Sequence, residues 1–300
     1  MIGLRVKKFE HKEPEWLEKE FRNGLSGVDL GIHRKPAASS DWTLNSRLTG
    51  TKELLTNATD AETNGDADLV FDSNNGWTKN RNNTYQSWMW KRHAGFDVVT
   101  YKGDLVVGRS LPHQLSVAPE MIWFKSRTVS DGWVVWHKGL GGGTNSQQKR
   151  MFLDTSGAEV SDTTYLNNTY PTSTHISLAA NGYNNHSNSN YIAMLFASVD
   201  GISKVGSYVG NGSATARTIT LGFQPRFVII KHTGWTTDWY VLDTVRGWAS
   251  GNDQILYLNA NSAQVGTNNI GAPTSTGFTL TSSATALNED TSTYIYYAHA

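Results

Sequence analysis

Three hundred residues suffice for one large domain or two to three modest ones with real cores, which excludes a single small module. Lysine plus arginine equals aspartate plus glutamate at 26 each, so no global field draws the chain to nucleic acid or an anionic membrane, and recognition has to be local. With no cysteine there is no disulfide, thiolate metal site or cysteine nucleophile, and no window approaches the ~18 apolar residues of a membrane-inserted helix.

The chain opens with a charged leader. Residues 1–40 hold 14 charged side chains, against 38 in the 260 residues that follow, and this shift marks a domain boundary. The start, "MIGLRVKKFEHKEPEW", lacks the apolar core of an export signal, which predicts a soluble chain made in the cytoplasm and carrying no Sec-type signal. "GLRVKKF" alternates as a short strand. "EPEWLEKEFRNGLSG" predicts a helix over about 13–25, with Pro14 in its first turn and Gly24 and Gly27 near its exit. Its apolar residues Trp16, Leu17, Phe21 and Leu25 form one stripe, suited either to packing on its own domain or to docking on another protein. "HRKPAASSDW" then reads as a linker.

From Asp41 onward the chain repeats itself. Pro119–Lys125, "PEMIWFK", aligns with Pro225–Lys231, "PRFVIIK". "DGWVVW" (131–136) aligns with "DWYVL" (238–242), "MFLDTSGAE" (151–159) with "LYLNANSAQ" (256–264), and "PTSTHISL" (171–178) with "PTSTGFTL" (273–280). "SNYIAMLFA" (189–197) closes one copy and "STYIYYAHA" (292–300) the other. A partial copy over 41–94 precedes two full modules, 90–197 and 196–300, and lacks their Pro-x-apolar-Lys front half. Glycine, Asn, Asp and Pro turns separate short strands, with "MIWF" and "FVII" as strands buried on both faces. The fold class that follows is all-β, with tandem β-sandwich modules packed tightly together.

Chemistry is scarce. "GLGGGTN" (139–145) lacks the Gly-Lys-Ser/Thr of a phosphate cradle and reads as a turn. The acidic stretch over 60–72 spaces oxygen side chains like a calcium loop, but Phe71 stands where a bidentate Glu is needed, so no metal and no cofactor is assigned. The nine histidines show no ligand spacing, and there is no nucleophile elbow. Asp131 and Asp238 recur with the repeat and read as turn caps, leaving no catalytic residue. Among the aromatics, Trp133 and Trp239 hold aligned places and read as core. Trp235 and Trp248 lie in Gly/Thr-rich turns and are the candidates for contact with a glycan or a partner.

The set "QSWMWKRHAGFDVVTYKGD" (86–104), "PEMIWFKSR" (119–127), "WVVWHKGLGGGTN" (133–145), "YIAMLFASVDGISKVGSYVGNG" (191–212), "GFQPRFVIIKHT" (222–233) and "DWYVLDTVRGW" (238–248) resembles a repeat family of structural proteins in tailed bacteriophages, marine and cyanobacterial ones in particular. The resemblance covers residues 41–300. It implies jelly-roll or lectin-like β modules in a virion appendage such as a tail fibre, with no catalytic residues to carry over. It also implies a homo-oligomer, a trimer by analogy with fibres, though no heptad run here enforces one. The expected function is a virion structural protein docked on other virion proteins through residues 1–40, its modules projecting toward host-surface glycan. A head-decoration or tail-nozzle component that binds only virion proteins is the alternative, and a polysaccharide depolymerase is a third reading.

Overall fold

The computed structural model describes residues 27–65, 71, 84–213, 215, 217–249, 251, 253–281 and 285–300. The predicted helix over 13–25, with Trp16, Leu17, Phe21 and Leu25, lies outside the described residues.

Short strands assemble into three main antiparallel sheets, so the all-β expectation holds. The first sheet contains β1 (Leu30–Arg34), β2 (Thr43–Ser46), β3 (Lys52–Leu55), β4 (Thr63–Asn64) and β5 (Gln86–Trp90), in the order β4-β3-β2-β1-β5. The second unit runs β6 (Phe96–Lys102), β7 (Arg109–Pro112), β8 (Met121–Ser126), β9 (Val134–His137), β10 (Lys149–Phe152), β11 (Val160–Ser161), β12 (His175–Leu178) and β13 (Asn190–Phe196). Its sheet has the order β11-β10-β9-β8-β13-β6, and β7 pairs with β12 beside it. The third unit runs β14 (Ser203–Val209), β15 (Arg217–Thr220), β16 (Phe227–His232), β17 (Tyr240–Asp243), β18 (Asp253–Tyr257), β19 (Val265–Asn268), β20 (Pro273–Thr274), β21 (Gly277–Leu280) and β22 (Thr293–His299). Its main sheet is β14-β22-β16-β17-β18-β19, with β15-β21-β20 as a smaller layer.

The period-2 alternation of these strands decides what each face meets. Ile32, Trp42 and Trp88 from the first sheet, Trp123, Trp133 and Met194 from the second, and Ile229, Trp239 and Tyr297 from the third point into one shared core. The opposite faces of the second and third sheets carry their own clusters. Leu111 and Ile176 of the β7/β12 pair cover Ile122 and Phe124, and Ile219 and Phe278 of the outer layer cover Val228 and Ile230. Strands β8 and β16 are therefore buried along their whole length, as the continuous apolar runs predict. The two Pro-Thr-Ser-Thr segments lead into β12 and β21, whose Ile176, Leu178, Phe278 and Leu280 are all buried.

One boundary moves. Leu30–Arg34, counted in the leader and linker by sequence, is an inner strand of the first sheet, paired with β2 on one side and β5 on the other. It occupies the place of β8 and β16, with Arg34 where they carry Lys125 and Lys231, so the first unit has its front half after all. Its outward residues are Gly31 and His33 instead of Ile122/Phe124 or Val228/Ile230, and this hid it from an apolar-run reading.

Three equivalent tryptophans close the units into a ring. Trp133 Nε1–H donates to the Leu55 carbonyl of the first unit at 2.8 Å, Trp42 to Tyr257 of the third at 2.8 Å, and Trp239 to Phe152 of the second at 2.9 Å. Each indole is buried and reaches the end of β3, β10 or β18 in a neighbouring unit, so the cycle returns to its start.

Glycines permit close approaches within the second and third units. A Cβ at Gly103 would be driven into the His186 carbonyl oxygen, and one at the equivalent Gly210 into that of Glu289. Gly103→Ala is therefore expected to cost about 2 kcal/mol, and a thermal melt showing no loss would show that the loop moves aside.

Candidate functional site: the loop end of the ring

Each front strand ends in a buried cation followed by a loop that lies against the neighbouring unit. Arg34 donates to the carbonyls of Ala260 (3.1 Å), Asn261 (3.1 Å) and Ser262 (2.7 Å). Lys125 Nζ donates to Thr59 O (3.0 Å) and Asp131 O (2.9 Å), and Lys231 Nζ to His232 O (2.8 Å) and Trp235 O (3.3 Å). The loops are stitched to their neighbours by one repeated pair of bonds. Ser40, Asp131 and Thr237 N–H donate to Asn261, Thr59 and Ser156, while Gln264, Glu62 and Glu159 N–H donate to Pro36, Arg127 and Thr233. Three loop pairs therefore sit over three cations at one end of the ring.

Burial pulls the Lys125 and Lys231 ammonium groups down to about 8, and pulls Arg34 down to about 10 with help from the Arg246 charge. Burial also raises the carboxyls of Asp131 and Asp154, which flank Lys125. A shifted lysine beside two shifted carboxyls is the pattern of an acid–base site, but the repeat shows what the residues do. Asp154 Oδ1 accepts from Trp133 N–H at 2.7 Å, as Asn57 Oδ1 does from Trp42 and Asn259 Oδ1 from Trp239, both at 2.8 Å. The amides of Asn57 and Asn259 donate in turn to Asp41 and Asp238. The second unit has Gly132 where that acid would stand: the Asp154 carboxylate has no N–H to give such a partner, and a Cβ at this place would lie 2.7 Å from the Phe152 ring. The cluster holds the tryptophan turn, with a carboxylate or an amide equally able to serve. Asp131 caps the same turn one position earlier, accepting from Gly132 N–H at 2.8 Å.

Sequence candidates separate sharply. Trp235 is 55 % exposed at the apex of the third loop. Trp248 is 2 % exposed and meets Phe278 edge-on at 5.9 Å, which corrects its assignment as a contact residue. The turn over 244–247 ends in Gly247 at φ +100°, and this folds the following indole under the outer layer. In the acidic stretch, Glu62 is committed to a two-point ion pair with Arg127 at 2.7 and 3.1 Å. No group of three potential metal-ligating side chains occurs among the described residues.

Beside Trp235 lies a pair that sequence inspection missed. His232 Nδ1 accepts from Gly234 N–H (2.9 Å) and Trp235 N–H (3.2 Å), so Nε2 carries the proton toward Glu289 Oε2 at 3.3 Å. Ser292 Oγ–H donates to the same oxygen at 2.6 Å. Burial lowers the His232 pKa, whereas the Ser292 and His232 bonds lower that of Glu289, so neutral imidazole faces an ionised carboxylate. A sequence separation of 57 between His232 and Glu289 conceals the pair. Comparison of the units could have flagged it, since the second unit has Ser126 and His186 at these places.

The fold and this loop end define a closed β scaffold of three main sheets in which equivalent tryptophans and paired loops join the units. The chain belongs to the family of a domain of unknown function, DUF7483, whose model matches residues 32–300 and thus begins inside β1. No curated protein and no solved structure matches the chain.

Proposed function

We propose that the chain is a structural protein of a tailed-phage particle, a tail-fibre-like appendage that is docked through its leader and presents the loop end outward. The observation that carries this reading is the closed ring of indole-to-carbonyl clasps: the three tryptophans, the buried Arg34 and Lys125 and the paired loop bonds are spent on joining units, which suits a durable presenting scaffold more than a reaction site. The sequence resemblance over 41–300 points the same way. Trp16, Leu17, Phe21 and Leu25 of the leader are the docking residues in this reading, with other virion proteins as partners.

Mass spectrometry of purified particles of the phage that encodes the chain is expected to find it, and its absence would end the proposal. Deleting residues 1–26, which leaves β1 intact, is expected to abolish incorporation while the remaining protein folds. Labelling of the protein in intact particles separates the appendage from the head-decoration or tail-nozzle alternative.

A further inference from the structure

The three loop apices act as internal controls. Ala38, Val129 and Trp235 each stand four residues after the buried cation of their strand, in loops held by the same pair of bonds to the neighbouring unit. Because alanine suffices at this place, the fold does not require the indole. Yet Trp235 is held out in solvent on a loop whose conformation is fixed by two N–H bonds to His232 and by the Lys231 bond to its own carbonyl. The Trp235 and His232 rings lie 6.2 Å apart at 50°. His232 in turn fixes Glu289, whose Oε2 takes two bonds and whose Oε1 has no protein partner among the described residues, on a side chain 28 % exposed. His232 and Glu289 also lack counterparts of their kind in the second unit.

We infer that Trp235 and Glu289 form a binding site for a neutral or amino-substituted pyranose, the indole stacking on the apolar C–H face of the sugar and Glu289 Oε1 accepting from a ring hydroxyl. A rigid aromatic face beside an oriented acceptor matches a ligand that is apolar on one side and hydroxylated at its rim. The residues flanking the indole, Gly234 and Thr236, are small and exposed, and do not supply the surrounding contacts that exclude water from a protein-binding hot spot. The Glu289 charge disfavours uronic acids. This site gives the proposed appendage its host contact and rests on that reading for its biological role, while its chemistry is tested on the isolated protein.

The test is a surface array of defined oligosaccharides ending in glucose, galactose, N-acetylglucosamine or glucuronate, probed with the full chain. Binding to one or more of the neutral or amino sugars is expected, weakened about tenfold or more by Trp235→Ala, retained by Trp235→Tyr and unaffected by Val129→Ala. Glu289→Gln is expected to admit glucuronate. Thermal unfolding should be unchanged in Trp235→Ala, since the residue is exposed. Absence of binding to every sugar, equal binding by Trp235→Ala, glucuronate bound as well as the neutral sugars, or capture of a peptide partner through Trp235 in their place would each overturn the site. Such a failure with the protein present in particles leaves the structural reading standing, and the converse result leaves the site standing.

Discussion

Replacing Trp133 by alanine is expected to lower the unfolding free energy by about 4 kcal/mol or more, the largest single effect in the molecule. Removing a buried large aromatic costs about 3–5 kcal/mol through lost burial and the cavity left behind. Here the Leu55 carbonyl of the neighbouring unit also loses its shorter bond and keeps only the one from Ala58 N–H at 3.4 Å, a penalty of about 1 kcal/mol that overlaps with the first. Trp133→Phe keeps most of the packing and loses the bond, so about 1–2 kcal/mol is expected for it. Urea unfolding followed by circular dichroism measures both. Because each clasp joins two units, the mutant should still unfold in one transition, at lower urea. A transition that splits, with one component at the wild-type midpoint, would mean that the modules fold independently.

Acid is expected to destabilise the ring through His137. Its ring is fully buried at the contact of the second and third units, accepting from Gly139 N–H at 2.9 Å through Nδ1 and lying 3.2 Å from the Tyr296 carbonyl through Nε2. The Gly139 bond requires an unprotonated Nδ1, whereas Nε2–H can donate to Tyr296 in either state, and burial pulls the group down to about 4 from an unfolded value of 6.5. The unfolded chain therefore takes up the proton first. The stabilisation is complete above pH 6.5 and is lost as pH falls from there to about 4, amounting to about 3 kcal/mol at roughly 1.4 kcal/mol per pH unit. His113 and His299, also lowered by burial, add to the slope, whereas Asp131, Asp154 and Asp253, raised by burial, oppose it. The difference between wild type and His137→Asn isolates the term. Urea midpoints at pH 7.5 and pH 4 should converge on the mutant as pH falls, and a constant gap would refute the account.

Much of the fold was legible because its strands alternate and its turns are rich in Gly and Asn. Trp133 and Trp239 were readable as core from their aligned places. The first unit's front strand was not, since Gly31 and His33 erase the apolar signature of one face. Ring closure left no trace, because an indole N–H bonding to a backbone carbonyl imposes no requirement on the partner's side chain. Trp248 misled because a turn-rich composition describes the backbone and says nothing of which way an indole swings at Gly247. Trp235 was visible as a candidate, whereas His232 and Glu289 meet only through the pairing of β16 with β22, which brings His232 opposite Tyr294.

The seam between the first and last units bears on how such a gene can change. Arg34 and Trp42 bind carbonyls at 257–262, so β1, though it pairs with β2 and β5, and the turn before β2 gain these cross-ring partners only when most of the chain exists. A linear array of repeats can gain or lose one member and remain folded, since each copy touches only its neighbours. A ring closed at three cannot, because a fourth unit would open every clasp and a missing one would expose the shared core. Recombination is therefore constrained to exchange loops or whole rings, and repeat number is fixed by geometry while the loop tips remain free to diverge.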